Sequence, residues 1–222
     1  MSYPINYPTP QGANIQIFNT PTQSGSGITN CSWTKPQGAS FVWFTLIGGG
    51  GGGDTAGTGG GSGAVTNCMV PAFLIPDELV ISVPLGGTAG NNGGQTNVKY
   101  LLKDGVSPYT LLTADGGQPG GAGGTAMTSN YFSCMGIFQS VAGQAGAAGT
   151  LGASTTTFLS GGTAVSQTIT ANYGYAPTSN GFFQTQPIIV GSGGTGSGRG
   201  GAGCGGGSSG AGGPGLAIII TW

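Results

Sequence analysis

Two segments of unbroken hydrophobic residues are joined directly to glycine tracts, and these junctions constrain the chain more than any other feature. Phe41-Val42-Trp43-Phe44-Thr45-Leu46-Ile47 runs into six consecutive glycines, Gly48 to Gly53. Near the other end, Gly210-Ala211-Gly212-Gly213-Pro214-Gly215 runs into Leu216-Ala217-Ile218-Ile219-Ile220-Thr221-Trp222. Ordering glycine costs more backbone entropy than ordering any other residue. A chain with 51 glycines in 222 residues that also carries strong strand segments is not a plain linker. The expectation is that the strands hold the glycines, that Phe41–Ile47 and Leu216–Trp222 lie together in one sheet system, and that both glycine tracts leave on the same side.

The rest of the chain reads as all-β: a β-sandwich or jelly-roll-like fold with glycine-rich extended loops and almost no helix. No stretch of ten residues keeps a 3.6-residue period with helix formers. Phe41–Ile47 is apolar on both faces, the pattern of a central strand covered on each side. Further strand candidates are Val65–Phe73, which Pro71 and Pro76 restrict to an edge or end early, and Glu78–Val83, leading into a turn at 84–87. Asn97–Leu102 and Tyr109–Thr113 flank an Asp104-Gly105 turn and read as a hairpin. Tyr131–Val141 is strand or short helix; Thr155–Leu159, Val165–Thr170, Gly181–Val190 and Leu216–Trp222 complete the set. Residues 1–32 form an extended arm with one alternating run at Asn14–Phe18, either a frayed terminus or an arm for attachment and strand exchange. Residues 33–222 form the glycine-rich β-domain, with an insert at about 124–185.

The glycine tracts leave two readings open. Between Gly191 and Gly215 one register of every third position is glycine at seven of nine places, against five of eight and three of eight for the others. Collagen needs an unbroken Gly-X-Y repeat and abundant proline, and this tract has Pro214 alone. Short polyglycine segments of polyproline-II geometry, bonding backbone to backbone, are one reading. Floppy loops are the other.

Charged residues make up 4% of the chain and the net charge is −1, against about 25% charged in an ordinary soluble domain. Such a chain has little colloidal repulsion and is expected to associate. Four cationic residues make no basic patch, which argues against nucleic-acid binding. No run of about 18 apolar residues exists to insert in a membrane. Met1–Pro8 lacks the basic and apolar regions of a secretory signal, so a product made in a cytosol that either stays there or leaves by another route, such as release of virus particles by lysis, is expected. Cys31, Cys68, Cys134 and Cys204 include no Cys-x-x-Cys pair; buried free thiols are the simplest reading, disulfides formed after release the next.

Catalysis has few candidates. With no histidine in the chain, a Ser/His/Asp triad and a histidine metal site are excluded. Asp77-Glu78 follows Pro76 and reads as a solvated turn. Asp54, Asp104 and Asp115 sit in glycine-rich turns whose spacing fits no calcium loop. No glycine run is followed by the lysine of a phosphate loop. The expectation is no enzyme activity, no cofactor and no metal. Binding is better supported. Tyr173, Tyr175, Phe182 and Phe183 interleave aromatics with Gly, Ser, Asn and Pro, an adaptable recognition chemistry; core or intersubunit aromatics are the alternative.

The order of these pieces resembles the glycine-rich domain of tail-fibre and appendage proteins of tailed phages, also found in other large-virus structural proteins. The pieces are Phe41–Gly53, then Leu79-Val80-Ile81-Ser82-Val83-Pro84-Leu85-Gly86-Gly87, then Gly93-Gly94-Gln95-Thr96, Leu112-Thr113-Ala114-Asp115-Gly116-Gly117, and Gly212–Ile220. The resemblance covers roughly residues 33–222. It implies a β-sandwich-like virion protein, homo-oligomeric with a trimer favoured, that packs with other virion proteins and contacts a host-surface receptor. The insert at about 124–185 is longer than this pattern leads one to expect. The chain has no long shaft, which points to a tip, collar or capsid decoration. A non-viral self-assembling filament or matrix protein and a glycine-rich ice-binding surface protein are the competing readings.

Overall fold

In the computed structural model the residues described are 13–20, 27–54, 58–102, 108–128, 137–143, 145–146, 203, 205–206 and 210–222. Nine strands follow one another among them: β1 Asn14–Asn19, β2 Ile28–Thr34, β3 Phe41–Ile47, β4 Val65–Pro71, β5 Glu78–Pro84, β6 Thr96–Leu101, β7 Pro108–Ala114, β8 Ile137–Val141 and β9 Leu216–Thr221. The helical content of these residues is a single 3₁₀ turn, Ala72–Leu74. The strands form two antiparallel sheets, ordered β1-β9-β3-β4-β8 and β2-β5-β6-β7.

β3 and β9 are adjacent, with Val42 opposite Thr221 and Ile47 opposite Leu216. Gly48 and Gly215 therefore leave the five-stranded sheet at the same end, as the junctions lead one to expect. Inward-facing Val42, Phe44 and Leu46 of β3 and Ile219 of β9 meet Leu79, Ile81, Val98 and Leu112 of the other sheet in one core. Trp33 joins this core edge-on to Phe44, ring centroids 6.3 Å apart. The opposite faces of β3, β4 and β9 bear a second buried cluster, Trp43, Ile47, Val65, Leu216, Ile218 and Ile220. Burial on both faces is why β3 and β9 read as continuous hydrophobic runs rather than alternating ones.

β4 lies inside its sheet, between β3 and β8, and ends at Pro71. Proline lacks the N–H that would continue the ladder, so the chain turns into the 3₁₀ segment. Lys35 holds this corner: its Nζ donates to Ala72 O (3.1 Å) and Ile75 O (2.8 Å) and pairs with the Asp77 carboxylate at 2.8 Å. β6 and β7 form the expected hairpin, with a register shift between Val98 and Lys99; its turn lies outside the described residues. Tyr131–Val141 contributes the strand β8 at 137–141. β2 pairs with β5 over its whole length and is a strand the sequence pattern does not announce. Its alternation is carried by Thr29, Cys31 and Trp33, of which Trp33 alone is a large hydrophobe.

Candidate functional site

The described glycine tracts gather at the pole of the sandwich where β3 ends and β9 begins, and there they build an ordered object out of backbone. Its axis is Gly48–Gly53. The N–H groups of this segment donate in turn to Ala64, Gly94, Gly213, Gly61, Asn91 and Gly210, at 2.9–3.0 Å. The partner segment changes at each residue and recurs every third: 48 and 51 reach residues 61–64, 49 and 52 reach 91–94, 50 and 53 reach 210–213. The carbonyls are used in the same way. Gly49 and Gly52 accept from Gly117 and Gly120, Gly50 and Gly53 from Gly87 and Gly90, and Gly51 from Gly206. A donor direction that rotates by one third of a turn per residue is the three-fold screw of a polyproline-II helix, with about 3.1 Å rise per residue. Among the described residues, one central helix is thus surrounded by six backbone segments, the sixth met at Gly206.

The directions follow from the partner numbers. Donor and acceptor numbers change in opposite senses where Gly48–Gly53 donates, so 58–64, 91–95 and 210–215 return towards the sheets. They change in the same sense where it accepts from 87 and 90 and from 117 and 120, so those segments run outward with it. The outer helices also bond to one another: Gly61 to Gln118, Ala64 to Asp115, Gly212 to Gly87, Gly93 to Gly117, Gly60 to Gly206 and Gly63 to Gly203. Each partner shift of three residues repeats the same screw.

Glycine is required here because the helix axes approach too closely for side chains. A Cβ on Gly52 would lie 2.0 Å from Thr88 O, one on Gly48 2.0 Å from Asp115 O, and one on Gly212 2.0 Å from Gly50 O. Outer helices face the bundle with two of every three residues, which gives the pattern x-Gly-Gly-x: Leu85-Gly86-Gly87-Thr88, Asn92-Gly93-Gly94-Gln95, Asp115-Gly116-Gly117-Gln118 and Ala122-Gly123-Gly124-Thr125. The third positions Thr88, Asn92, Gln95, Gln118, Ala122 and Thr125 are exposed. Of the two readings of residues 48–63, loop or extended polyglycine, the described residues adopt the second, and the turn expected at 84–87 is replaced. Residues 85–88 are bundle helix, and the chain reverses at Ala89-Gly90, with Gly90 at φ 73°.

The described aspartates serve this framework and its opposite corner. The Asp115 carboxylate accepts from Gln95 Nε2 and its neighbour Gly116 N–H, both at 3.0 Å, and from the Thr125 hydroxyl, tying three outer segments together. Asp54 closes the reversal at the end of the central helix by accepting from Thr58 N–H at 2.7 Å. Asp77 pairs with Lys35 at the far pole, where a cavity of about 480 Å³ lies against Lys35, Gln37, Ala72, Phe73 and Asp77. Among the described residues no three His, Cys, Asp or Glu side chains come together. Cys68 is buried and free, its thiol pushed up to about 12 by burial; Cys31 is free and half-buried. Tyr173, Tyr175, Phe182 and Phe183 lie outside the described residues, as do Cys134, Cys204, Asp104, and the strand candidates between 155 and 190.

The sandwich and bundle together define a class: an antiparallel β-sandwich that carries a hydrogen-bonded polyglycine bundle on one pole. Residues 23–222 match the model of the glycine-rich domain family, and the chain belongs to that family. A search of curated proteins gave no match.

Proposed function

We propose that this chain is a non-enzymatic structural protein of a virion surface, the tip of an appendage or a decoration of the capsid, which assembles with itself and contacts a host surface. The observation that carries this reading is the six-around-one glycine bundle. Among the described residues its interior is backbone, and its rim presents hydroxyl and amide groups with two carboxylates, Asp54 and Asp115. Such a module suits bearing and presenting a surface better than turning over a substrate. The resemblance of the strand-and-glycine order to appendage domains of tailed phages supports the finer assignment. The uncharged composition supports life in an assembly.

The test is immunogold electron microscopy of the native source with an antibody to this chain. Label at fixed positions on virus particles is the expected result. Label confined to free monomer overturns the reading. For host contact, deletion of 173–183 is expected to abolish adsorption while particles still assemble; unchanged adsorption removes that segment from the site.

A further inference from the structure

We propose that two copies of this chain pair through β1, edge to edge and antiparallel, joining their five-stranded sheets across a two-fold axis. β1 bonds to β9 on one side, through six uninterrupted register pairs from Asn14–Thr221 to Asn19–Leu216. Among the described residues it is the terminal strand of its sheet. The backbone groups on its other side therefore form a row with the spacing of a strand, and what completes such a row is another strand.

Edge strands are ordinarily protected by charge, proline, a bulge or a covering segment. Among the described residues, the other three edges carry something of this kind or expose a single large hydrophobe, Ile28 on β2, Tyr109 on β7 and Ile137 on β8. β7 begins with Pro108. Beside β8 runs the segment 124–127, through Gly143 N–H to Gly124 O and Met127 N–H to Ser140 Oγ. β2 exposes Asn30, Ser32 and Thr34 beside one isoleucine, Ile28. β1, Asn-Ile-Gln-Ile-Phe-Asn, has no charge, no proline and no register shift. It exposes two isoleucines on one face, Ile15 at 37% and Ile17 at 48%.

The strand is complementary to itself. In an antiparallel pair centred on Gln16, Ile15 of each copy stands opposite Ile17 of the other, so four isoleucines close into one apolar patch. That patch continues the row formed by Ile218 and Ile220, which β1 faces in register. Directly opposite side chains in such a ladder lie about 5 Å apart and interact favourably when both are apolar. The contact is isologous and closes at two copies. It thus specifies a dimer, in place of the trimer implied by the phage resemblance, and it does not depend on the virion reading.

The test is sedimentation of the purified full-length chain, with dimer expected at protein concentrations of about 10–100 μM. Ile15→Lys/Ile17→Lys sets lysine against lysine and is expected to weaken association at least a hundredfold. Ile15→Lys/Ile17→Glu sets lysine against glutamate and is expected to restore it, which separates charge repulsion from loss of fold. Cysteine cross-linking gives an independent measure that leaves the apolar patch intact. Gln16→Cys is expected to form a disulfide-linked dimer under mild oxidation, whereas Asn19→Cys, some 20 Å from its own copy at about 3.4 Å per residue, is not. A wild-type chain that stays monomeric, association untouched by the double lysine variant, or equal cross-linking at the two positions would overturn the proposal. The virion reading stands or falls separately, on the microscopy.

Discussion

Gly52→Ala isolates the physics of the bundle in one methyl group. The added Cβ would lie 2.0 Å from Thr88 O, 2.6 Å from Thr88 C and 3.0 Å from Ala89 N, all of them backbone atoms that cannot rotate aside. Relief requires the helix 85–90 to move by about 1 Å, since carbon and oxygen rarely approach within about 3 Å. That movement strains the two bonds Gly52 makes, its N–H to Asn91 O at 3.0 Å and its carbonyl from Gly120 N–H at 3.3 Å. Overpacking costs about 1–3 kcal/mol, and two weakened backbone bonds cost about 1 kcal/mol each. The stiffer unfolded chain returns about 0.4–1 kcal/mol. The net is roughly 3 kcal/mol, or a Tm lower by about 6–12 °C for a chain of this size. Two controls separate crowding from backbone strain. Gly121→Ala meets no atom closer than 3.4 Å, so the unfolded-state term acts alone and raises Tm by about 1–3 °C. Gly38→Ala meets nothing within 4 Å but sits at φ 80°, so it loses about 1 kcal/mol to strain without any clash. The assay is thermal unfolding followed by circular dichroism or calorimetry. Gly52→Ala melting with Gly121→Ala would refute the close-packed bundle.

Three further outcomes follow from single groups. The Cys68 thiol is raised to about 12 from 9.0 by burial; the unfolded chain releases its proton first, so this contribution to stability is intact below pH 9 and is lost as pH rises towards 12. At pH 8 Cys68 should resist a thiol reagent until the chain is unfolded, as peptide mapping of the labelled protein would reveal. Asp115→Ala removes the acceptor shared by Gln95, Gly116 and Thr125 and should lower stability by about 1–2 kcal/mol in denaturant titration. Lys35→Met leaves the Ala72 and Ile75 carbonyls without their cation and should cost about 1–2 kcal/mol, whereas Asp77→Asn, at a carboxylate 84% exposed, should cost under about 1 kcal/mol.

The sandwich was legible wherever side chains carry a phase. Phe41–Ile47 and Leu216–Thr221 are apolar on both faces because both faces are buried, and their shared glycine junctions anticipate their pairing. β2 escaped notice because its inward residues include Thr29 and Cys31 while Ile28 stands among the outward ones, so no apolar–polar alternation shows. The bundle was legible only as one of two open readings, polyproline-II polyglycine beside floppy loop, and for a different reason. Six identical residues at 48–53 carry no phase, so their three-fold screw is written nowhere in that segment. It is written in the outer helices, where Thr88, Asn92, Gln95, Gln118 and Thr125 flank glycine pairs. The x-Gly-Gly-x spacing was readable there as one exposed face in three. A period test confined to 191–215 lies outside all of these x-Gly-Gly-x segments.

The central claim is that Gly48–Gly53 is the hydrogen-bonded axis of an ordered bundle. Amide hydrogen exchange, resolved to single residues by NMR, tests it most directly. All six N–H groups have backbone acceptors at 2.9–3.0 Å and lie in buried residues. They should therefore exchange as slowly as the amides of β3 and β9, through the same global opening. Exchange of these glycines at the rate of an unstructured peptide, while β3 stays protected, would contradict the account.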